Sequence, residues 1–326
     1  MQSITGFSGA ALVTRRGETL LRAAAGVADA SVGTACSTNT RFQVASVSKQ
    51  FTAAAVMLLV DDGAVDLGDA IGGLLPGCPS RWRELTLHQL LSHTAGLEHW
   101  NDLPAFEVTR PGSPEEFLRR FARVRLRSAP GATWHYSSPG YLIAAKVVEA
   151  VAGAAYADVV TDGVLAPAGM VATVVGHPPA EPVAWGYRGG TRVDVAEFAA
   201  MPGTGDVWST VDDLVRYTEA LTSGATAGAR ALPAMLGPHA ETPSETHSRA
   251  RPGGPATATG YGYGYFTGTV LGHRAWFHPG DNPGYQSFLA HLPDLEVSVA
   301  VLCNHEESDL DGVLRQTVST LASDAD

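Results

Sequence analysis

Lysine is nearly missing from this chain of 326 residues: Lys49 and Lys146 are the only two, and every other permanent cation is an arginine. Positive charge as a whole is short, with 22 Lys and Arg against 33 Asp and Glu and a net charge of −11. A chain of that sign repels phosphate backbones and anionic headgroups, which excludes nucleic acid and anionic membrane surfaces as partners. Cysteine is scarce too. Cys36, Cys78 and Cys303 are odd in number and scattered, with no C-x-x-C pair, so they read as free thiols rather than a disulfide framework or a metal site. No apolar run approaches the roughly 20 residues of a membrane span. Met1-Gln2-Ser3-Ile4-Thr5 has neither the basic region nor the apolar segment of a secretory signal. The expected location is therefore cytoplasmic, or secreted if a leader has been trimmed. Familiar catalytic and nucleotide motifs are missing as well: no G-x-S-x-G elbow, no H-E-x-x-H, no P-loop and no G-x-G-x-x-G before a helix.

What is present begins at Val44-Ala45-Ser46-Val47-Ser48-Lys49. One of the two lysines stands three residues after a serine, at the head of the apolar run Phe51 to Val60. That run reads as a buried helix ending at Asp61-Asp62-Gly63, with Gly63 as the stop. Residues i and i+3 share a helix face, which sets the Lys49 amine beside the Ser46 hydroxyl. A serine hydroxyl becomes a good nucleophile only when an adjacent base takes its proton. A lysine serves as that base when burial lowers its pKa. The helix N-terminus adds free N–H groups where an oxyanion would form. S-x-x-K alone also recurs by chance.

The remaining chain gives the fold. Phe7 to Thr14 and Thr19 to Val27 read as two paired strands around the turn Arg15 to Glu18. Helices are expected over Leu85 to Leu91, from Pro111-Gly112-Ser113-Pro114 to about Arg125, over Tyr141 to Val151 with Gly153 as stop, and from Thr210 through Leu221. Thr242 to Gly260, rich in Pro, Gly, Ser and Thr, reads as a loop or linker. Strands are expected over Tyr261 to Gly268, His273 to His278, Gln286 to His291 and Val297 to Cys303, with a turn over Gly280 to Gly284 and a closing helix from Asp309 to Leu321. The fold class is therefore α/β (α+β). A single domain, 1–326, has one antiparallel sheet built from both ends of the chain (1–62 and 255–326) and an inserted, mainly helical region, 63–254.

Two further segments carry chemistry. Tyr136-Ser137-Ser138 sits before the Tyr141 helix and offers a phenol as a second proton relay. His278-Pro279-Gly280 ends an expected strand; Gly280 allows close approach of substrate to the backbone, and the Asp281 N–H can donate to an oxyanion. Singly, each is equally what an exposed tyrosine or a strand-end histidine would look like. Together, in this order, S-x-x-K, the tyrosine triplet and the basic-x-Gly triplet resemble the penicillin-recognising serine hydrolases. The phrases Phe42 to Lys49, Leu90 to Leu97 and Ser209 to Leu214 are similar too, and the likeness covers nearly the whole chain. The tyrosine form of the second motif points to the branch of class C β-lactamases, D-alanyl-D-alanine carboxypeptidases, D-aminopeptidases and related esterases.

The resemblance implies a β-lactamase/transpeptidase-like fold with the site between sheet and helical region. It implies Ser46 as acyl-forming nucleophile, Lys49 and Tyr136 as the general-base pair, and an oxyanion hole from the N–H groups of Ser46 and Asp281. His278 would help bind substrate and complete the proton network, and no metal or organic cofactor is implied. His93 is assigned to structure. Two departures bear on substrate. Ser138 replaces the asparagine usual in the second motif, and His278 stands where β-lactamases of this group carry lysine. An imidazole with an unperturbed pKa of about 6.5 replaces a permanent ammonium, which suits an anionic β-lactam poorly. Trp100, Trp134, Trp276 and Phe277 are candidates for an apolar acyl pocket. The expectation is an esterase or carboxypeptidase-like enzyme with weak β-lactamase activity, acting on a small-molecule ester, amide or D-peptide. An acyltransferase using the same acyl-enzyme and a non-catalytic binding or assembly member are the alternatives. No oligomeric state is implied.

Overall fold

The computed structural model describes residues 6–103, 113–193, 201–224, 228–243 and 254–319. Its frame is an eight-stranded sheet. In chain order the strands are β1 (Gly9–Arg15), β2 (Glu18–Ala25), β3 (Ala240–Glu241), β4 (Ala256–Tyr261), β5 (Phe266–Val270), β6 (His273–Asn282), β7 (Tyr285–Leu292) and β8 (Val297–Cys303). Every neighbour is antiparallel, and the order across the sheet is β3-β4-β5-β6-β7-β8-β1-β2. The N-terminal hairpin thus lies beside the last strand, with Gly9 opposite Cys303 and Arg15 opposite Val297.

Both faces of the sheet are covered, and the two-residue alternation of side chains sorts the cores. Ala10, Leu12, Ala300 and Leu302 join the large cluster on the face that meets the helical region. Ala11, Val13, Val299 and Val301 join a second cluster with Leu310, Val313 and Leu314 of the closing helix. This is why β1 and β8 are mostly apolar rather than alternating.

The principal helices are α1 (Ser48–Asp61), α2 (Leu87–Leu91), α3 (Pro114–Phe121), α4 (Ser138–Ala152), α5 (Val211–Thr222) and α6 (Leu310–Ser319). Helix α1 is buried nearly all round and runs through the middle of the helical region, as its apolar composition requires. It ends at Asp61, with Asp62 as its C-cap and Gly63 at φ +68° in the left-handed region. The helix expected from Leu85 starts at Leu87, because Thr86 caps it and forms a capping box with Gln89. Helix α3 begins after Ser113, whose side chain accepts from Glu116 N–H, and stops at Phe121, short of Arg125. Pro111, Gly112, most of the stretch Thr242 to Gly260, and Leu321 lie outside the described residues.

Three strand expectations are corrected. Ala256 to Gly260, read as loop, is most of β4; its small residues carry no strand signal of their own and are held by pairing with β5. The single strand expected over Tyr261 to Gly268 is instead a hairpin that turns at 262–265, with Gly264 at φ +79° packed against the backbone of Lys49 and Gln50. The strand expected to end at His278 continues to Asn282, moving the turn to Pro283-Gly284. The sheet also takes Ala240–Glu241 from within the stretch expected to be inserted.

Candidate functional site

The turn that carries Ser46 is pinned from three directions. Ala45–Val47 form one turn of 3-10 helix that feeds α1, and Ala45 sits at φ +48°, in the left-handed region. A side chain there costs about 1–2 kcal/mol, so the surroundings must hold it. They do so through the Val44 carbonyl, which accepts the Ser287 hydroxyl of β7 at 2.7 Å, and the Val44 N–H, which donates to Val207 O at 2.9 Å. From the third side β6 presses on the turn at Gly280. A Cβ on Gly280 would stand 2.3 Å from Ser287 Oγ, 2.5 Å from Val44 O and 3.0 Å from Ser46 N. Only glycine lets β6 pass this close to the Ser46 backbone.

Lys49 is completely buried, and its Nζ lies 3.0 Å from Ser46 Oγ and 2.9 Å from Thr204 O. Burial drives its pKa down to about 7, against an opposing pull from the Asp206 carboxylate. A neutral amine at this position gives one N–H to the Thr204 carbonyl and turns its lone pair toward the serine proton. Tyr136 approaches the same oxygen. Burial pushes its phenol well above the ordinary range, while contacts with Ser46 and Ser138 act in the other direction. Lys49 Nζ stands 5.1 Å from the centre of the Tyr136 ring. The tyrosine is wedged between aromatic neighbours, parallel to the His99 and Phe266 rings at 5.6 and 6.3 Å.

His93 holds the tyrosine segment from below. It is buried with φ +60°, its Nδ1 accepts the Ser137 N–H at 3.1 Å, and its ring centre is 4.4 Å from that of Tyr136. Ser138 is the first residue of α4 rather than part of the preceding loop, and its Oγ is 3.5 Å from His99 Nε2.

The site opens into a cleft of about 450 Å³ whose lining includes Ser46, Ser138, Thr204, Asp281, Asn282 and Gln286 together with His99, Trp100, Arg188 and Glu306. Along this cleft β6 has only one strand neighbour. Its pairing with β5 ends at Phe277, whereas its pairing with β7 runs on to Asn282. The stretch from His278 onward therefore presents a strand edge, where the missing N–H of Pro279 is tolerated.

His278 is not where the sequence suggested. It is fully buried and absent from the cleft wall, lying under Tyr136 with ring centres 6.0 Å apart. Its Nδ1–H donates to Pro279 O at 2.6 Å, and its Nε2 lies 3.1 Å from the Tyr261 hydroxyl. Asp281 and Asn282, beyond the end of the pairing with β5, line the cleft, whereas His278 does not. Of the four aromatic candidates only Trp100 reaches the cleft; Trp134 packs with Tyr136 and Tyr261, Trp276 stacks on His291, and Phe277 stacks on Phe288.

Several lining residues carried no sequence signal. Arg188 and Glu306 are 118 positions apart and meet in a two-pronged pair at 2.7 and 2.8 Å. His99 follows a recognisable phrase, Leu90 to Leu97, by two residues, and that proximity was the one available clue. The three cysteines are free, and no helix among the described residues is long and apolar enough to cross a membrane.

A family model described as Beta-lactamase matches residues 2–322 of the chain. Esterase EstB of Burkholderia gladioli is 36% identical over 176 residues, covering 49% of this chain and 45% of that protein. A D-aminopeptidase of Cereibacter sphaeroides is 28% identical over 328 residues, covering 93% of this chain and 58% of that protein. The chain spans about half the length of the curated relatives it matches. The D-amino acid amidase from Ochrobactrum anthropi SV3, solved with L-phenylalanine amide, has the same fold, with a TM-score of 0.83 at 22% identity over 98% of this chain and 96% of that one.

Proposed function

The chain belongs to the beta-lactamase family, and from that premise we propose that it is a serine hydrolase working through an acyl-enzyme on Ser46. The observation that carries the reading is the buried Lys49 amine, 3.0 Å from the Ser46 hydroxyl. Lys49, with the Tyr136 phenol beside it, takes the serine proton as Oγ bonds to the substrate carbonyl carbon. The resulting oxyanion is held by the N–H groups of Ser46 and Asp281, which Gly280 brings within reach of one another. Collapse breaks the ester or amide bond, and the stored proton goes to the departing alcohol or amine. Water then repeats the sequence on the acyl-enzyme and restores Ser46. Neither Ser138, with its short hydroxyl, nor the sunken His278 supplies a charge to the substrate.

The substrate class is an ester, amide or D-peptide rather than a β-lactam. A β-lactam brings a carboxylate toward β6, where the lining holds Asp281 and Glu306 against Arg188, two negative charges to one positive. The guanidinium of Arg188 is already engaged by Glu306. At about 4 Å and an effective dielectric of 20, one misplaced unit charge is worth roughly 4 kcal/mol. The relatives named as an esterase and a D-aminopeptidase support the same choice.

Side-by-side kinetics on p-nitrophenyl acetate, a D-amino-acid p-nitroanilide and nitrocefin test this. The ester or anilide is expected to exceed nitrocefin in kcat/KM by orders of magnitude, with a mass adduct on Ser46. Nitrocefin turnover equal to the best ester would overturn the substrate assignment, and an adduct on another serine would overturn the mechanism.

A further inference from the structure

Under Lys49 lies a loop that the chemistry above uses only through one carbonyl. Residues 203–207 are tied to α1 and β6 at nearly every position. Gly203 O accepts the Thr52 hydroxyl at 3.0 Å, Thr204 O accepts Lys49 Nζ at 2.9 Å, Gly205 O accepts Asn282 Nδ2 at 3.0 Å, and Val207 N–H donates to Ser48 Oγ at 3.2 Å. Gly203 has φ +80°, and a Cβ on it would stand 2.9 Å from both Thr52 Oγ1 and Ala145 Cβ. The loop is a rigid plate against which the lysine rests.

Inside the plate is one carboxylate. Asp206 is 1% exposed and folds back so that Oδ1 accepts the Gly203 N–H at 3.0 Å. That bond alone does not call for charge, since an asparagine oxygen would accept it equally. A buried carboxylate is costly unless a cation answers it. Burial pushes the Asp206 carboxyl up to about 7; the backbone N–H groups of Asp206 and Gly203 pull it back down, and the cation that acts with them is Lys49.

We propose that Asp206 is the positioning residue of the base: it braces the loop that presents Thr204 O to Lys49, and its negative charge steadies the proton Lys49 receives from Ser46. The inference rests on Lys49 being the base. Burial works to strip the proton from Lys49, and Asp206 works to keep it. The other groups facing Lys49 are His93, with His278 beyond it, and the rings of Tyr136 and Tyr141 at 5.1 and 5.7 Å; none of these is an anion. Asp206 itself is faced by Lys49 and by the Tyr156 phenol, which bonds Thr52. Without the carboxylate the amine would lose its proton too readily to hold it through the first half-reaction.

The presence of only two lysines makes the test direct. In protein labelled with ¹³C at lysine Cε, Lys49 and Lys146 give two signals, and Lys146, whose pairs with Glu115 and Glu149 raise its pKa, is the reference that stays charged. Asp206→Asn keeps the acceptor for Gly203 and removes the charge. The expected result is that the Lys49 titration and the acid limb of kcat/KM for p-nitrophenyl acetate both move to lower pH by about one unit or more, with the melting temperature near that of the parent. Unmoved profiles in folded D206N would overturn the proposal. If D206N does not fold, the parent decides: the Lys49 signal must show a second inflection from Asp206 beside its own, and a single inflection overturns the proposal. Lys49→Ala in the same assay separates the two readings. Parent-like rates in K49A would remove the base itself, whereas a dead K49A with an unmoved D206N removes only the role of Asp206.

Discussion

In the proposed mechanism Ser46 supplies only the attacking oxygen, so Ser46→Ala is expected to abolish turnover and labelling by a fluorophosphonate probe while leaving the far-ultraviolet circular dichroism unchanged. Lys49 must be neutral to accept the serine proton. With its pKa lowered from 10.5 to about 7 by burial, kcat/KM for a neutral ester is expected to rise with pH through about 7 and then level. A profile flat from pH 5 to 9 would take Lys49 out of the mechanism.

His291 makes a stability prediction of the same kind. It is buried, stacked on Trp276, and its Nδ1 is 3.0 Å from Ser298 Oγ; burial lowers its pKa from 6.5 to about 4. The folded chain binds fewer protons than the unfolded one between those values. Stability is therefore lost as pH falls from 6.5 through about 4, by up to about 3 kcal/mol from this group. His291→Gln should flatten that part of the acid limb in denaturant titrations, and an unchanged slope would assign acid sensitivity elsewhere.

At this scale the pair Ser46 and Lys49 was legible because their relation is local: three residues on one helical path fix their distance. The depth of His278 was not, because whether a strand residue faces cleft or core depends on where its strand ends. The meeting of Arg188 with Glu306 depends on the whole fold.

Among the elements, β6 decides most. Its length was underestimated because the sequence shows a proline and a glycine, Pro279-Gly280, where a strand ordinarily breaks. Pairing with β7 carries the strand through them, and the loss of β5 beyond Phe277 makes the proline harmless. Gly280 is needed for space rather than for turning. Gly280→Ala should push β6 off the Ser46 turn, given the 2.5 Å and 3.0 Å approaches to Val44 O and Ser46 N. A fall in kcat/KM of about 10²-fold or more is expected, the scale of a lost oxyanion donor. Parent-like turnover in G280A would mean that the β6 edge does not shape the site. Helix ends were read well where a cap or a stop glycine signals them, as at Thr210, Gly63 and Gly153, and badly where only tertiary packing ends the helix, as at Phe121; the cap at Thr86 was missed by two residues.

For the whole molecule, the pairing of the two chain ends in one sheet was readable from strands at both termini with helices between. Which short segments join the sheet edge was not, since Ala240–Glu241 and Ala256–Tyr261 have little strand character of their own. Charge acts at this scale as well. With a net charge of −11 and an acidic cleft wall, kcat/KM for anionic nitrocefin should rise with added salt as repulsion is screened, whereas p-nitrophenyl acetate should show no trend.

The place of β1 between β2 and β8 also sets a timetable for biosynthesis. The first hairpin is complete by Ala25, yet the open edge of β1 has no partner until Val297–Cys303, some 270 residues later (297 less 25). At about 5–20 residues per second, a ribosome exposes that apolar edge for roughly 15–50 s before its partner emerges. The strand that presses on Ser46 and the strand that closes the sheet are both made long after Ser46 itself. A product stalled before β6 carries Ser46 and Lys49 without the wall that aligns them, so newly made chains should stay silent toward an active-site probe until β6 to β8 have emerged.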